Sequence, residues 1–243
     1  MITAFLLAYW PERAHHIDKI IDDLKNGTVP PDKIVVWNNN ASFSLINDFS
    51  LKERHPDVEV IESTQNLGHR VRFVAALTFL SDYYFFIDDD ITVGKKTIEL
   101  YMEHAHENCC LTHWGKVGGR NNPGHAYTSG QEYSARRISK PMHVEAVIGR
   151  GSIFCSFNAL VNMLVLEKEL RKHPAFNEGR EADIILGMAN DSYSVPTINN
   201  PEANLIDLGE KGVGMVRESG HYQKRSRIME AIYEIREREN KSN

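Results

Sequence analysis

Apolar positions along the chain follow two periods. Ile2 to Tyr9 is an unbroken apolar run of the kind that fills a strand buried on both faces. Pro11 then predicts a helix start, and Ile17, Ile20, Ile21 and Leu24 recur at i, i+3, i+4 and i+7 as one apolar stripe. Asn26-Gly27 stops that helix, and Pro30-Pro31 reads as a connector. Lys33 to Trp37 predicts a second strand, closed by Asn38-Asn39-Asn40, and Val58 to Ile61 predicts a third. A helix is expected from Asn66, with Phe73, Ala76, Leu77 and Leu80 on one face. Tyr83 to Ile87 predicts a fourth strand that ends in Asp88-Asp89-Asp90, and a further stripe follows at Ile98, Tyr101, Met102 and Ala105.

Strands separated by helical stripes imply βαβ units, hence an α/β fold with a mostly parallel sheet flanked by helices. Ligands of such sheets bind outside the carboxyl ends of the strands. The polar clusters Tyr9 to Arg13, Asn38 to Asn40, Asn66 to Arg72 and Asp88 to Asp90 fall at those ends. From about Leu111 to Arg150 the chain is rich in Gly, Asn, Ser and His with little periodicity, so long loops are expected there. An apolar stretch (Ser152 to Leu166), a helix candidate around Glu181 to Met188 and a C-terminal helix with Ile228, Ala231, Ile232 and Ile235 on its core face complete the pattern.

The 243 residues are 42% hydrophobic and 25% charged, enough for a sizeable core and unlike disordered, collagen-like or coiled-coil chains. A net charge of −5 argues against a protein that coats nucleic acid or membrane with its whole surface. The 111–150 stretch departs from this at +4, from Lys116, Arg120, Arg136, Arg137, Lys140 and Arg150 against Glu132 and Glu145. Cys109, Cys110 and Cys155 make neither a disulfide framework nor a zinc spacing, which suits a reducing compartment; the cytoplasm is expected. No apolar run is long enough to span a membrane, and the first residues lack the marks of a signal peptide.

Three consecutive carboxylates at a strand end repel one another and raise their own pKa values unless a cation neutralises them. Carboxylate oxygens suit Mn²⁺ or Mg²⁺, and the strand pleat turns Asp88 and Asp90 one way and Asp89 the other. Two chemistries compete. In a nucleotide-sugar transferase an Asp-x-Asp holds a metal against the donor diphosphate. In a haloacid-dehalogenase-like phosphatase, Asp88 of Asp88-Asp89-Asp90-Ile91-Thr92 would be the nucleophile, but that motif ordinarily closes the first strand of its fold and three strands precede it here. A solvated turn is the third reading.

The order of motifs resembles the exostosin-like glycosyltransferases, the family of heparan-sulfate α-N-acetylglucosaminyltransferases. The resemblance rests on Lys33 to Asn39, on Thr64-Gln-Asn66 with Arg70 and Arg72, and on Phe86 to Asp90. It continues through Ala182-Asp183-Ile184 and His221-Tyr-Gln-Lys-Arg225-Ser226. It implies a single GT-A domain over 1–243, with a nucleotide-sugar half (1–95) and an acceptor half carrying the C-terminal helix (96–243). It further implies a UDP-sugar donor, Mn²⁺ (or Mg²⁺) and retention of anomeric configuration. By the same resemblance Tyr9, Arg13, Asn38, Asn66, Arg70, Asp88 and Asp89 would bind the donor, and Asp88, Asp90 and His221 the metal. Asp183 would lie under the sugar ring, and Arg225 would neutralise the leaving diphosphate. Arg70 and Arg72 are alternatives for one role. The family's paired cysteines are replaced by Glu181 and Ile228, its first acidic residue by Ala182 and a following Asn by Gly187, so its sugar and acceptor are not carried over.

The basic stretch, with His113, Trp114, Tyr127 and Tyr133, points to an anionic or stacking acceptor. A hydroxymethylated pyrimidine in DNA is the acceptor expected on that charge, as for phage-type DNA-base glycosyltransferases, which would require base flipping. A cytosolic glycan precursor is the alternative, and a non-catalytic nucleotide-sugar-binding module lies outside enzymes altogether.

Overall fold

The structure is a computed structural model and describes residues 1–148, 152–176, 181–209 and 220–242. Arg150, one of the six basic residues counted above, lies outside them. The hub is strand β1 (Ile2–Ala8), buried along its whole length because it is paired on both edges and covered on both faces. Helix α1 (His16–Lys25) buries Ile17, Ile20, Ile21 and Leu24 as the stripe predicts. It opens at His16 instead of Pro11. The Tyr9 and Trp10 amides donate to the Asp89 carboxylate, so the chain bends there and Pro11–Arg13 forms a separate 3-10 turn.

Strands β2 (Lys33–Asn38) and β3 (Glu59–Glu62), with the short helix α2 (Leu51–Arg54) between them, extend the sheet in parallel. Helix α3 (Val71–Ala76) starts later than Asn66. The Asn39 side chain takes the Leu67 amide and donates to the Gly68 carbonyl, and Gly68 adopts a left-handed φ of +73°, which together fix a non-helical loop. Leu80, expected on the core face, is 74% exposed beyond the end of α3. Strand β4 (Tyr83–Asp88) lies beside β1 in parallel and is followed by β5 (Ile91–Val93) and α4 (Thr97–Glu103).

The second half begins with β6 (Cys109–Thr112). Where long loops were expected it holds β7 (Trp114–Val117), β8 (Gln131–Ser134), β9 (Met142–His143) and β10 (Ala146–Val147). Strands of two to four residues are too short to show alternation in sequence; cross-strand pairing makes them. Then come β11 (Ser152–Ser156), α5 (Phe157–Leu170), α6 (Ala182–Met188), β12 (Asp191–Ser194), β13 (Leu205–Asp207) and the long α7 (His221–Ser242).

The main sheet runs β3-β2-β1-β4-β11-β6-β12-β9, with β10-β7-β8 as a second sheet and β13 paired to β5. Strand β11 is antiparallel to both neighbours, while β6 and β12 are parallel to each other. The period-two pleat divides the core. Phe5, Val35, Phe86 and Cys155 pack on one face with Leu160 (α5), Ile184 (α6) and Ile232 (α7). Their neighbours Leu6, Val36, Phe85 and Phe154 pack on the other with α1 and Tyr101 of α4. Each such fully buried side chain contributes about 1.5–3 kcal/mol. All three cysteines are free and buried. Among the described residues no helix is long and apolar enough to cross a membrane. The register sets Ala8 beside Asn38 and Asn38 beside Glu62, with Asp88 beside Leu7, at the carboxyl ends of the four parallel strands.

Candidate active site

The acidic triplet divides as the pleat dictates. Asp89 is buried: it accepts the Tyr9 amide at 2.9 Å and the Trp10 amide at 3.3 Å, and Arg13 Nη1 lies 3.0 Å from its Oδ1. Burial pushes its carboxyl above the usual range while those hydrogen bonds pull it back. Asp89 therefore ties the β1 end to the triplet, which differs from the donor contact expected of it. Asp88 and Asp90 stay open, their side chains 30% and 27% exposed. Arg72 donates to Asp88, and Arg13 Nη1 lies 2.9 Å from Asp90. Burial, followed by the Asp88 charge, pushes Asp90 up to about 6; Asp207 at the end of β13 adds to it against the pull of Arg13. The Leu208 amide donates to the Asp90 carbonyl at 2.7 Å, which holds the segment after β13 against the triplet.

The residues expected to bind a nucleotide separate into open and engaged ones. Tyr9 and the exposed Asn66 meet, Asn66 Nδ2 lying 3.3 Å from the Tyr9 hydroxyl. Asn38 is buried, donating to the Phe43 carbonyl and accepting the Asn40 amide, so it turns the chain at the end of β2. Arg13 is likewise buried and engaged by two aspartates. Of the two alternatives, Arg72 reaches the triplet, while Arg70 turns away to Glu167 on α5 at 2.7 Å.

Asp183, in the first turn of α6, and Arg225, on α7, form a buried two-pronged pair at 3.2 and 2.8 Å. The Arg225 guanidinium also covers the Tyr127 ring at 4.5 Å. Burial works against its charge, but Asp183 and then Tyr127 outweigh that and hold its pKa above the usual arginine range. Arg225 thus secures Asp183 in this structure. Gly187 is explained by packing: a Cβ there would sit 2.6 Å from the Val147 amide of β10, so only glycine lets α6 lie this close. Among the described residues no three His, Cys, Asp or Glu side chains converge to hold a metal, so His221, at the start of α7, is not gathered with Asp88 and Asp90.

His69, not singled out in the sequence, links the two sides. It is half-buried in the loop after Asn66. Desolvation pushes its imidazole down to about 4; Asp183 and Asp88 oppose this, while Arg72 and Arg225 reinforce it. One residue therefore feels both the triplet arginine pair and the α6–α7 pair. Its only sequence signal was its place in the polar cluster after β3. Asp207 carried no signal at all, because its approach to Asp90 depends on β13 pairing with β5.

Of the basic residues expected to face an acceptor, one is buried and two more are paired at the surface. Lys116 is buried over Tyr127 at 4.5 Å, Arg120 pairs with Glu145, and Arg136 donates to the Leu205 carbonyl at 2.8 Å. Arg120, Arg136, Arg137 and Lys140 stay exposed, so the charge of the stretch is partly paired and not buried away. His113 is a core residue bonded to Tyr101 and to the Ala203 carbonyl, and burial pushes it down to about 4.

A parallel strand edge ending in two open aspartates, backed by a second layer of helices, defines a glycosyltransferase of GT-A fold. The pattern of glycosyl transferase family 2 matches residues 10–170, and the chain belongs to that family. Among solved structures the fold is similar to one described as "Crystal structure of GalNAc-T7 with UDP, GalNAc and Mn2+", with a TM-score of 0.56 and 10% identity over 81% of this chain. The chain spans 42% of the length of that protein. A comparison with curated proteins finds no match. The phosphatase and non-catalytic readings give way to the family; the exostosin-like likeness stays one of motifs.

Proposed function

We propose that the protein transfers a sugar from a UDP-sugar to a hydroxyl of a carbohydrate acceptor, with a divalent metal at Asp88 and Asp90. The observation that carries this reading is geometric: Asp88 and Asp90, at the carboxyl end of β4 on the ligand edge of the sheet, keep side chains 30% and 27% exposed while Asp89 between them is buried. Two open carboxylates fit Mn²⁺ or Mg²⁺, which commonly take one or two protein carboxylates and fill the remaining positions with water and substrate phosphate. A cation there supplies positive charge to the departing diphosphate. Tyr9 and Asn66 bind the nucleotide, and Arg72 sets the Asp88 carboxylate. Asp183, paired with Arg225, stabilises positive charge developing at the anomeric carbon. Residues 1–95 carry the nucleotide side and 96–243 the acceptor side.

The GalNAc-T7 structure, described with UDP and Mn2+, supports the donor and the metal as chemistry this fold accommodates. A glycan is preferred to hydroxymethylated DNA as the acceptor because Lys116 is buried and Arg120 and Arg136 are already paired within the protein, which leaves Arg137 and Lys140 as the exposed, unengaged cations of the stretch among its described residues. Calorimetric titration with UDP, with and without Mn²⁺, tests the donor and metal, and UDP release against simple glycan and hydroxymethylated-DNA acceptors tests the transfer. Absence of metal-dependent UDP binding sinks the proposal, and faster UDP release with the DNA would restore the base as acceptor.

A further inference from the structure

Helix α5 has two faces. Ala159, Leu160, Met163, Glu167 and Leu170 turn into the core, while Val161, Val165 and Lys168, at i, i+4 and i+7, form a stripe on the opposite side. That stripe is open to solvent, with Val165 61% exposed. Helix α3 and the turn after it run alongside α5 in the opposite direction. Arg70, at the head of α3, lies 2.7 Å from Glu167 near the end of α5. Leu80, beyond the foot of α3, shares a cleft of about 600 Å³ with Phe157 and Asn158 at the start of α5. Val74 and Leu80 are exposed on this second segment. Single exposed apolar side chains are ordinary, but Val74, Leu80, Val161 and Val165 along one seam form an apolar face of the kind that marks an interaction surface.

The two ends of the seam carry opposite charges. Lys168 is exposed near the carboxyl end of α5. At the other end the exposed Glu107 accepts the Asn158 side-chain amide at 2.9 Å, which fixes an acid beside the first turn of α5, and Asp82 lines the same cleft. We propose that this face binds a second copy of the chain, with the two α5 helices packed antiparallel about a two-fold axis at the level of Met163. Such a contact must be self-complementary, because each residue that meets a partner residue is met by its own counterpart in return. Val161 and Val165 are equidistant from Met163, so the axis sets Val161 of one copy against Val165 of the second. Asn158 and Lys168 are equidistant from it too, so the same register brings Glu107, held by Asn158, to Lys168 of the second copy. One register satisfies the apolar and the ionic halves of the contact together, which favours a second copy over an unrelated partner. The proposal does not depend on the transferase reading.

The test is the oligomeric state of the full chain by sedimentation velocity, from low micromolar to the highest soluble concentration, at low and high salt. Wild type should pass from monomer to dimer as concentration rises, with the dimer weakened by salt. Val165→Glu, which sets two carboxylates against the apolar centre of the contact, should stay monomeric while keeping the wild-type melting temperature. Lys168→Glu should weaken dimerisation about tenfold, because the two-fold repeats the reversal, and Glu107→Lys in the same chain should recover most of that loss. The Lys168→Glu chain also serves as the probe if Val165→Glu fails to fold. Wild type that stays monomeric throughout overturns the second copy as occupant and leaves the seam to a different partner. A folded Val165→Glu chain that still dimerises overturns the proposed face, and a charge swap that restores nothing overturns the antiparallel register.

Discussion

Asp90 at the end of β4 and Asp183 in the first turn of α6 are the two carboxylates on which the proposed chemistry depends, and their surroundings act on them in opposite ways. Asp90 is open, shares Arg13 with Asp89 and is pushed up to about 6 by burial and by Asp88. Asp183 is closed in and bonded to Arg225 by two hydrogen bonds. An under-neutralised carboxylate is suited to gaining a cation; a fully paired one is suited to keeping a fixed negative charge in place. The difference separates a ligand-taking side of the site from a prebuilt side.

The comparison breaks most sharply at the pair. Arg225→Met should destabilise the fold by about 3–5 kcal/mol, because it takes the arginine away from the buried Asp183 carboxylate. Denaturant unfolding reads this, and Asp183→Asn in the same chain should restore much of the loss. If Arg225→Met unfolds like wild type, Asp183 is not held as described.

A second test uses pH. His113 is pushed down to about 4 in the fold from an ordinary 6.5. Between these values the unfolded chain binds a proton that the folded chain refuses, so this part of the stability is complete above pH 6.5 and is lost as pH falls toward 4. The loss is about 3 kcal/mol. His69 shifts in the same direction and adds to the acid-side loss. Melting curves across this window should be flatter for His113→Gln than for wild type; parallel curves would refute a neutral buried His113.

The open side predicts the reverse pattern. Asp90→Asn should lower UDP release about a hundredfold, on the scale of losing one preorganised electrostatic contact. Its melting temperature should stay level or rise, because the replaced carboxylate is disfavoured by its neighbours. A large drop in melting temperature would make Asp90 a structural group like Asp183 and remove the contrast. The smallest effect is expected at Gly187→Ala, where the new methyl meets the β10 backbone; about 1–3 kcal/mol is expected from overpacking, read by the same denaturant unfolding.

Much of the first half is legible from local pattern. The β1 run, the α1 stripe and the strand end at Asp88 each depend on side-chain period and neighbouring residues alone. The loop from Asn66 to Arg70 misleads because its helical spacing is overridden by a distant group, the Asn39 side chain. The short strands from β7 to β10 hide for a different reason: two to four residues carry no periodicity, and their pairing partners lie elsewhere in the chain. The +4 of that stretch was visible, but its meaning was not, since Lys116 and Arg120 are engaged only once the sheet and α7 assemble around Tyr127 and Glu145.

By itself the sequence determined that three carboxylates end a buried strand at the ligand edge of a largely parallel sheet, because strand period and apolar runs are properties of adjacent residues. Tertiary structure alone decided what each carboxylate does. Asp89 becomes a brace because β1 lies beside β4 and delivers two amides to it. Asp183 becomes a fixed charge because the packing of α6 against α7 brings Arg225 across 42 positions of sequence. Charge is written in the residue, but its use depends on which long-range partner reaches it first, and only the packed fold sets that.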